Sequence, residues 1–439
     1  MDSVIVVKFG GTSLASAEQI KKAAAIVKAD PRRRYMVASA PGKRTPDDVK
    51  VTDLLYRCYD EAAAKKDFSE TLEKIESRFS DIIRELGVRF DLTAEIETLR
   101  SHLTHAPDRD YMASRGEYLN AKIIAAYLGY PFMDAAEAVF FNENGGLDDR
   151  TYAVLGKRLK DMPHAVVPGF YGVTPEGRIH TFSRGGSDVT GSIVARAVGA
   201  ELYENWTDVS GLLSADPRLV DDPCVIENIT YTELRELSYM GASVLHEDAI
   251  FPVRRAGIPI NIRNTNRPGD PGTRIAPTVP KSSRKVTGVA GKKGFSGILV
   301  EKSMMNSEVG FTSRLLQILA EHGVAFEHCP SGIDTISMIV STVQFAPVRE
   351  AVMAQIEDEL HPETLICEDG LAMIAVVGRG MVSTKGTAAK IFKALADADV
   401  NIRMIDQGSS ELNIIVGVEE PDYEKAIRSI YREMESLMH

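Results

Sequence analysis

The chain opens with an apolar run, Val4-Ile-Val-Val7, that stops at Lys8 and passes into Phe9-Gly-Gly-Thr-Ser13. Short apolar runs bounded by turn residues predict buried strands at Val4–Val7, Tyr35–Ala40 and Ala165–Phe170. The second is ended by Pro41-Gly42, and Ser39 on its own reads only as a turn residue. Helical spacing predicts helices over Ser16–Ala29 and Asp110–Leu128, and one containing Ile193–Val198. Between them, Asp48–Arg100 is helix-rich, its acidic and basic residues interleaved as on solvated faces. Ser16-Ala-Glu-Gln19 carries the capping-box pattern that starts a helix. Strand, helix, strand in this order predicts an α/β domain with a parallel or mixed sheet covered by helices. Ligands in such domains sit at the carboxyl ends of strands, where Lys8 and its turn fall.

The pattern changes at Asn264-Thr-Asn-Arg-Pro-Gly-Asp-Pro-Gly272, followed by Pro277 and Pro280. Turn residues dominate there, and a first domain is expected over 1–280. Beyond it an internal repeat appears. Gly310–Ala320 leads through Gly323-Val324 to an apolar run at Thr335–Ser341, and Gly386–Ala396 leads through Asp399-Val400 to Glu411–Val418. Leu315, Leu316 and Leu319 fall over Ile391, Phe392 and Leu395 at one constant offset. Each copy reads as a β-α-β-β-α-β, ferredoxin-like module. The expected boundaries are 295–367 for the first copy, and 285–294 plus 368–439 for the second. Modules of this kind are expected to pair edge to edge.

A length of 439 residues is too long for one core, in agreement with several domains. The net charge of −11 argues against nucleic-acid or anionic-membrane partners, so an anionic substrate needs a local basic pocket. Four scattered cysteines (Cys58, Cys224, Cys329, Cys367) lack metal spacing and suggest a reducing compartment. With no apolar span visible, a cytoplasmic enzyme is expected.

The candidate chemistry lies in three segments. Glycines in a strand–turn–helix let phosphate oxygens reach backbone N–H groups, and Lys8 adds a full charge. Phe182-Ser-Arg184-Gly-Gly-Ser187-Asp188 again opens a helix after a strand; Arg184 offers a planar fork for a carboxylate or phosphate. Trp206-Thr207-Asp208-Val-Ser-Gly211 precedes Ala215-Asp216-Pro217-Arg218, a turn that is weak evidence alone. Glu117, in Ser114-Arg115-Gly116-Glu117, reads on its own as an acid near a helix start, stabilising the dipole. His246 reads as a core histidine, and Met304 and Met305 as packing. No Walker-A or protein-kinase signature occurs, nor any His/Cys set with zinc spacing.

Taken together, Lys8–Ser13, Phe182–Asp188 and Trp206–Gly211 with Asp216–Arg218 resemble the signatures of the aspartate kinase family; Gly241-Ala-Ser-Val-Leu-His246 resembles a fourth, and the repeat resembles tandem ACT domains. The resemblance implies an amino-acid kinase fold, a three-layer α/β/α sandwich around a mainly parallel sheet, followed by two ferredoxin-like ACT domains. It implies ATP- and Mg²⁺-dependent phosphorylation of the L-aspartate side chain, opening synthesis of lysine, threonine, methionine and diaminopimelate. By similarity, Lys8 stabilises the transferring phosphoryl group and Gly10, Gly11 and Ser13 cradle phosphate. Asp188 positions Lys8 and the substrate, and Thr207, Asp208 and Arg218 contact ATP. Ser39, Thr52 and Ser187 line the aspartate pocket, with Arg184 on the α-carboxylate and Glu117 on the amino group. No protein metal ligand is implied.

Two positions depart from the family pattern. Ser243 stands where many relatives have lysine, and Leu213 where some have tyrosine; both bear on nucleotide contacts. The ACT resemblance implies feedback by an end-product amino acid, lysine first and threonine second, near Met305, Gly310, Phe326, Glu327, Ser331, Asp334 and Thr335. It also implies a homodimer or homotetramer. A non-catalytic amino-acid-binding regulator and another carboxylate kinase of the superfamily are the alternatives.

Overall fold

The computed structural model describes residues 3–183, 185–242, 245, 247–280 and 284–438. It divides into two compact units. The first holds residues 1–212, 225–231 and 244–279; the second holds 213–224, 232–243 and 280–439. Arg184, Ser243 and His246 therefore lie outside the described residues.

The first unit is built on a seven-stranded sheet. Its elements run β1 (Ile5–Phe9), α1 (Ala17–Ala29), β2 (Arg33–Ala38), α2 (Val51–Ala63), α3 (Ser69–Leu86), α4 (Leu92–His105), α5 (Arg109–Leu128) and α6 (Arg150–Lys160). There follow β3 (Ala165–Pro168), β4 (Tyr171–Val173), β5 (Ile179–Thr181), α7 (Gly186–Ala197), β6 (Leu202–Thr207), β7 (Asn228–Thr230), α8 (Glu247–Ala256), β8 (Ile260–Asn264) and β9 (Thr273–Ala276). The sheet order is β3-β2-β1-β6-β8-β9-β7, parallel except between β8 and β9. Central parallel strands are covered on both faces, which is why β1 is buried throughout. Its alternate residues Ile5, Val7 and Phe9 join the core formed by α1 to α5. The period of two then sends Lys8 to the opposite face, against which α7 packs.

The expected capping box is half formed. The Ser16 hydroxyl accepts from the Gln19 backbone N–H at 3.4 Å, while the Gln19 side chain turns away to Asn266. Glu117 departs from the reading of its position: α5 begins at Arg109, so Glu117 lies mid-helix and buried, too far in to stabilise the dipole.

The second unit carries a six-stranded antiparallel sheet. Its elements are β10 (Gly288–Glu301), α9 (Phe311–Glu321), β11 (Phe326–His328), β12 (Thr335–Ser341), α10 (Arg349–Leu360), β13 (Thr364–Val377), α11 (Thr387–Asp397), β14 (Met404–Asp406), β15 (Asn413–Glu419) and α12 (Tyr423–Met434). The sheet order is β11-β12-β10-β13-β15-β14. The two copies do not meet as separate sheets. β10 and β13, 14 residues each, pair along their whole length. β12 adds to the second half of β10 and β15 to the second half of β13, so each long strand serves both copies. The aligned helix positions Leu315, Leu319, Ile391 and Leu395 are all buried, one pair in each of two cores.

Candidate active site

Lys8 is the pivot of the site. Its ammonium lies 2.6 Å from the Asp188 carboxylate, in the first turn of α7, and 3.4 Å from the Asn205 side-chain oxygen on β6. Asn205 closes the triangle by donating to Asp188 at 2.7 Å. Strand register explains the contact: Lys8 and Asn205 are direct partners across β1 and β6. Asn205 was not among the sequence candidates. The signal for it was present, because it shares the β6 face with Thr207 at a spacing of two.

The phosphate turn is held from several sides. The Gly10 N–H donates to the Trp206 carbonyl at 3.0 Å, and the Gly42 N–H to the Gly11 carbonyl at 2.8 Å. The backbones of Gly11 and Gly42 come so close that a Cβ on Gly42 would lie 2.5 Å from the Gly11 carbonyl carbon. Buried Ser13 accepts from the Thr265 hydroxyl at 2.8 Å. Ser39 is buried at the end of β2, its carbonyl accepting from Asn120 of α5 at 2.7 Å. Thr52 lies in the first turn of α2, and Ser187 is buried in the first turn of α7.

Glu117 is 6% exposed, and one of its carboxyl oxygens has no hydrogen-bond partner. Burial pushes its acid up to about 8, opposed by the Ala40 and Glu117 backbone N–H groups and by Lys8 and Arg115. Arg115 itself packs among the rings of Tyr111, Tyr118 and Tyr171, its guanidinium 4.2 Å from the centre of Tyr118. A buried acid with a spare oxygen beside a lysine is a ready partner for a ligand cation.

Thr207 ends β6 and donates to Asp208 at 3.2 Å, and the Asp208 carbonyl accepts from Asn264 at 3.2 Å. Arg218 belongs to the second unit. There its guanidinium folds back on Asp216 at 2.6 Å, holding that carboxyl below its ordinary range. Leu213 belongs to the same unit. Among the described residues no three His, Cys, Asp or Glu side chains converge as a metal site, and no helix is long and apolar enough to cross a membrane.

The expected effector residues divide between the two ends of the first repeat: Met305, Gly310, Ser331, Asp334 and Thr335 lie at the end where Thr335 pairs with Glu301, whereas Phe326 and Glu327 lie on β11 toward the other end, Phe326 pairing with Val340. The loop before α9 and the loop before β12 are stitched together: the Lys302 N–H donates to the Asp334 carbonyl at 2.9 Å, the Met304 N–H to the Asp334 carboxylate at 2.8 Å, and the Asn306 N–H to the Ile333 carbonyl at 3.2 Å. Ser331 and Thr335 flank this loop. Gly310 precedes α9 at φ 88°, a conformation that favours glycine, with open space where a side chain would stand. Phe326 is half exposed, and Glu327 accepts from the Tyr239 hydroxyl while burial raises its carboxyl. Met305 is buried in the core of the copy, a packing role.

A mainly parallel sheet with a lysine-tipped Gly-Gly turn defines a class, and the family pattern called the amino acid kinase family matches residues 3–264. An ACT domain pattern matches 374–434. Aspartokinase 3 of Bacillus subtilis is 42% identical over 98% of each chain. Chloroplastic aspartokinase 1 of Arabidopsis thaliana is 28% identical over 97% of this chain and 79% of its own. The crystal structure of Clostridium acetobutylicum aspartate kinase superposes with a TM-score of 0.88 at 48% identity, covering 99% of this chain and 100% of that one. Escherichia coli aspartokinase III in complex with aspartate and ADP shares the fold, with a TM-score of 0.76 at 24% identity over 98% and 99%. The chain belongs to the aspartokinase family.

Proposed function

We propose that the chain transfers the γ-phosphoryl group of ATP to the side-chain carboxylate of L-aspartate, giving 4-phospho-L-aspartate and ADP. The observation that carries this reading is the Lys8–Asp188–Asn205 cluster, with Lys8 and Asn205 buried, beside the Gly10-Gly11 turn and within the electrostatic reach of an underpartnered Glu117. A carboxylate is already nucleophilic, so no strong base is needed. One of its oxygens bonds to the γ-phosphorus as the bond to the β–γ bridging oxygen breaks, and ADP leaves. The barrier lies in bringing two anions together and stabilising charge on the equatorial oxygens.

In this reading Lys8 stabilises that charge and Asp188 and Asn205 aim it. Gly10, Gly11 and Ser13 receive phosphate oxygens; Thr207 and Asp208 contact the nucleotide. Ser39, Thr52 and Ser187 line the aspartate pocket, Glu117 takes the ammonium group, and the family resemblance assigns Arg184 to the α-carboxylate. Mg²⁺ would be held mainly by the ATP phosphates rather than by a protein cluster, and it would supply neutralisation of phosphate charge. The product is an acyl phosphate, the activated form that lysine, threonine, methionine and diaminopimelate synthesis require.

A regulatory amino acid binds the first repeat beside Gly310 and Asp334, with lysine first and threonine second. The Asp334 carboxylate supports a cationic ligand there. The paired repeats support a homodimer or homotetramer. Hydroxylamine trapping tests the reaction: an aspartyl hydroxamate forms with ATP and aspartate, and its absence, or an equal yield from glutamate, rejects the assignment.

A further inference from the structure

The segment 42–50, between β2 and α2, carries Gly42 against the phosphate turn and also has a side-chain anchor in the body of the unit. That anchor is Arg78, in the middle of α3 and 4% exposed. One terminal nitrogen donates to the Asp48 carboxylate at 2.7 Å. The other donates to the Gly42 carbonyl at 2.5 Å and to the Ala15 carbonyl at 3.0 Å. Gly42 is the residue whose N–H holds Gly11, and Ala15 caps the helical turn formed by Thr12–Leu14. A single guanidinium thus ties both backbone segments that bracket Gly10–Ser13. Asp48 is itself held by Arg44 at 2.9 Å through both its backbone and its side chain.

We propose that Arg78 is a positioning residue for phosphoryl transfer, one that sets the phosphate turn through Gly42 and Ala15 without touching substrate. The proposal rests on the phosphate-turn reading above. Two features separate it from a generic buried ion pair. Only one of its three hydrogen bonds goes to an acid; the other two go to main-chain carbonyls at the turn. Its Nε has no partner, so the side chain is placed for reach to those carbonyls rather than for full satisfaction. A lysine has one compact head and cannot hold both carbonyls and Asp48 in the same fork geometry.

Arg78 also floors an open cleft of about 460 Å³ lined by Arg44, Asp48, Lys74 and Ser77, so a small cation can enter the space left by truncation. The test uses the full chain with Arg78→Ala and Arg78→Lys, with kcat and KM for ATP and aspartate measured with and without millimolar guanidinium, and ADP binding by calorimetry. A misplaced turn lowers kcat/KM for ATP by about 10²-fold. The expected result is that guanidinium restores a several-fold part of this loss in Arg78→Ala and does nothing to the unaltered chain. Arg78→Lys is expected to keep the thermal midpoint and still lose kcat. Unaltered constants in Arg78→Ala, or a loss that guanidinium leaves untouched, overturn the proposal. If Arg78→Ala does not fold, Asp48→Asn decides: a raised KM for ATP supports the proposal and unchanged constants reject it. If the unaltered chain fails to phosphorylate aspartate, the functional reading fails, and ADP affinity with guanidinium rescue still judges Arg78.

Discussion

Glu117 gives the sharpest test of how the substrate pocket works. Its carboxyl is displaced from 4.5 to about 8 by burial, a bias of roughly 5 kcal/mol towards the neutral acid. The sign follows from linkage. Below about 4.5 the acid is protonated in both folded and unfolded chains and nothing is lost. Between there and about 8 the unfolded chain gives up its proton first, so stability falls as pH rises through this window. A substrate ammonium reverses the preference, because an opposite charge favours the carboxylate. Aspartate binding at pH 7 should therefore release a large part of one proton from a group titrating near 8. Calorimetric titration with aspartate in buffers of different ionisation enthalpy reads that number directly. Glu117→Gln keeps the shape, abolishes the release and flattens the fall in thermal midpoint between pH 6 and 8. It also raises KM for aspartate by about 10- to 10²-fold, the worth of a hydrogen bond to a charged group. A binding heat independent of buffer, with KM within twofold in Glu117→Gln, would refute the reasoning.

Other outcomes follow from the same geometry. Gly42→Ala places a Cβ 2.5 Å from the Gly11 backbone; kcat/KM for ATP should fall at least about tenfold, with a destabilisation of about 1–3 kcal/mol by denaturant titration. Asp188→Asn removes the acid 2.6 Å from Lys8, and steady-state kinetics should show kcat down about 10²-fold with KM for aspartate little changed. Lysine should inhibit turnover more strongly than threonine, and Asp334→Asn, which weakens the tie to Met304, should relieve that inhibition while leaving uninhibited kcat in place. Equal inhibition before and after this substitution would count against the effector site.

Much of the first unit was legible because its signals are local. The apolar run of β1, the glycines after it and the period of two together place Lys8 at a strand tip on the α7 side. The repeat was legible through the shared spacing of Leu315 and Ile391, whose helices bury the same face. Other features depend on distant partners. Glu117 reads as an acid near a helix start, although the predicted helix Asp110–Leu128 already sets it two turns in; what the sequence did not show is its burial. Asn205 gains its role only from register with Lys8. Arg78 sits in an amphipathic helix among other charges, and nothing local separates it from solvated neighbours; its meaning comes from Gly42, 36 positions earlier. The sharing of β10 and β13 between the repeats was likewise hidden, because strand length does not say which half pairs with which neighbour.

The central claim is that Lys8 acts on a phosphoryl group passing from ATP to aspartate. Coupled ADP release, measured with aspartate and with glutamate for the unaltered chain and for Lys8→Ala, tests it most directly. The expected result is aspartate-dependent release, little with glutamate, and a loss of at least about 10²–10³-fold in kcat for a Lys8→Ala chain with an intact circular dichroism spectrum. Near-normal aspartate-dependent turnover in Lys8→Ala would contradict it.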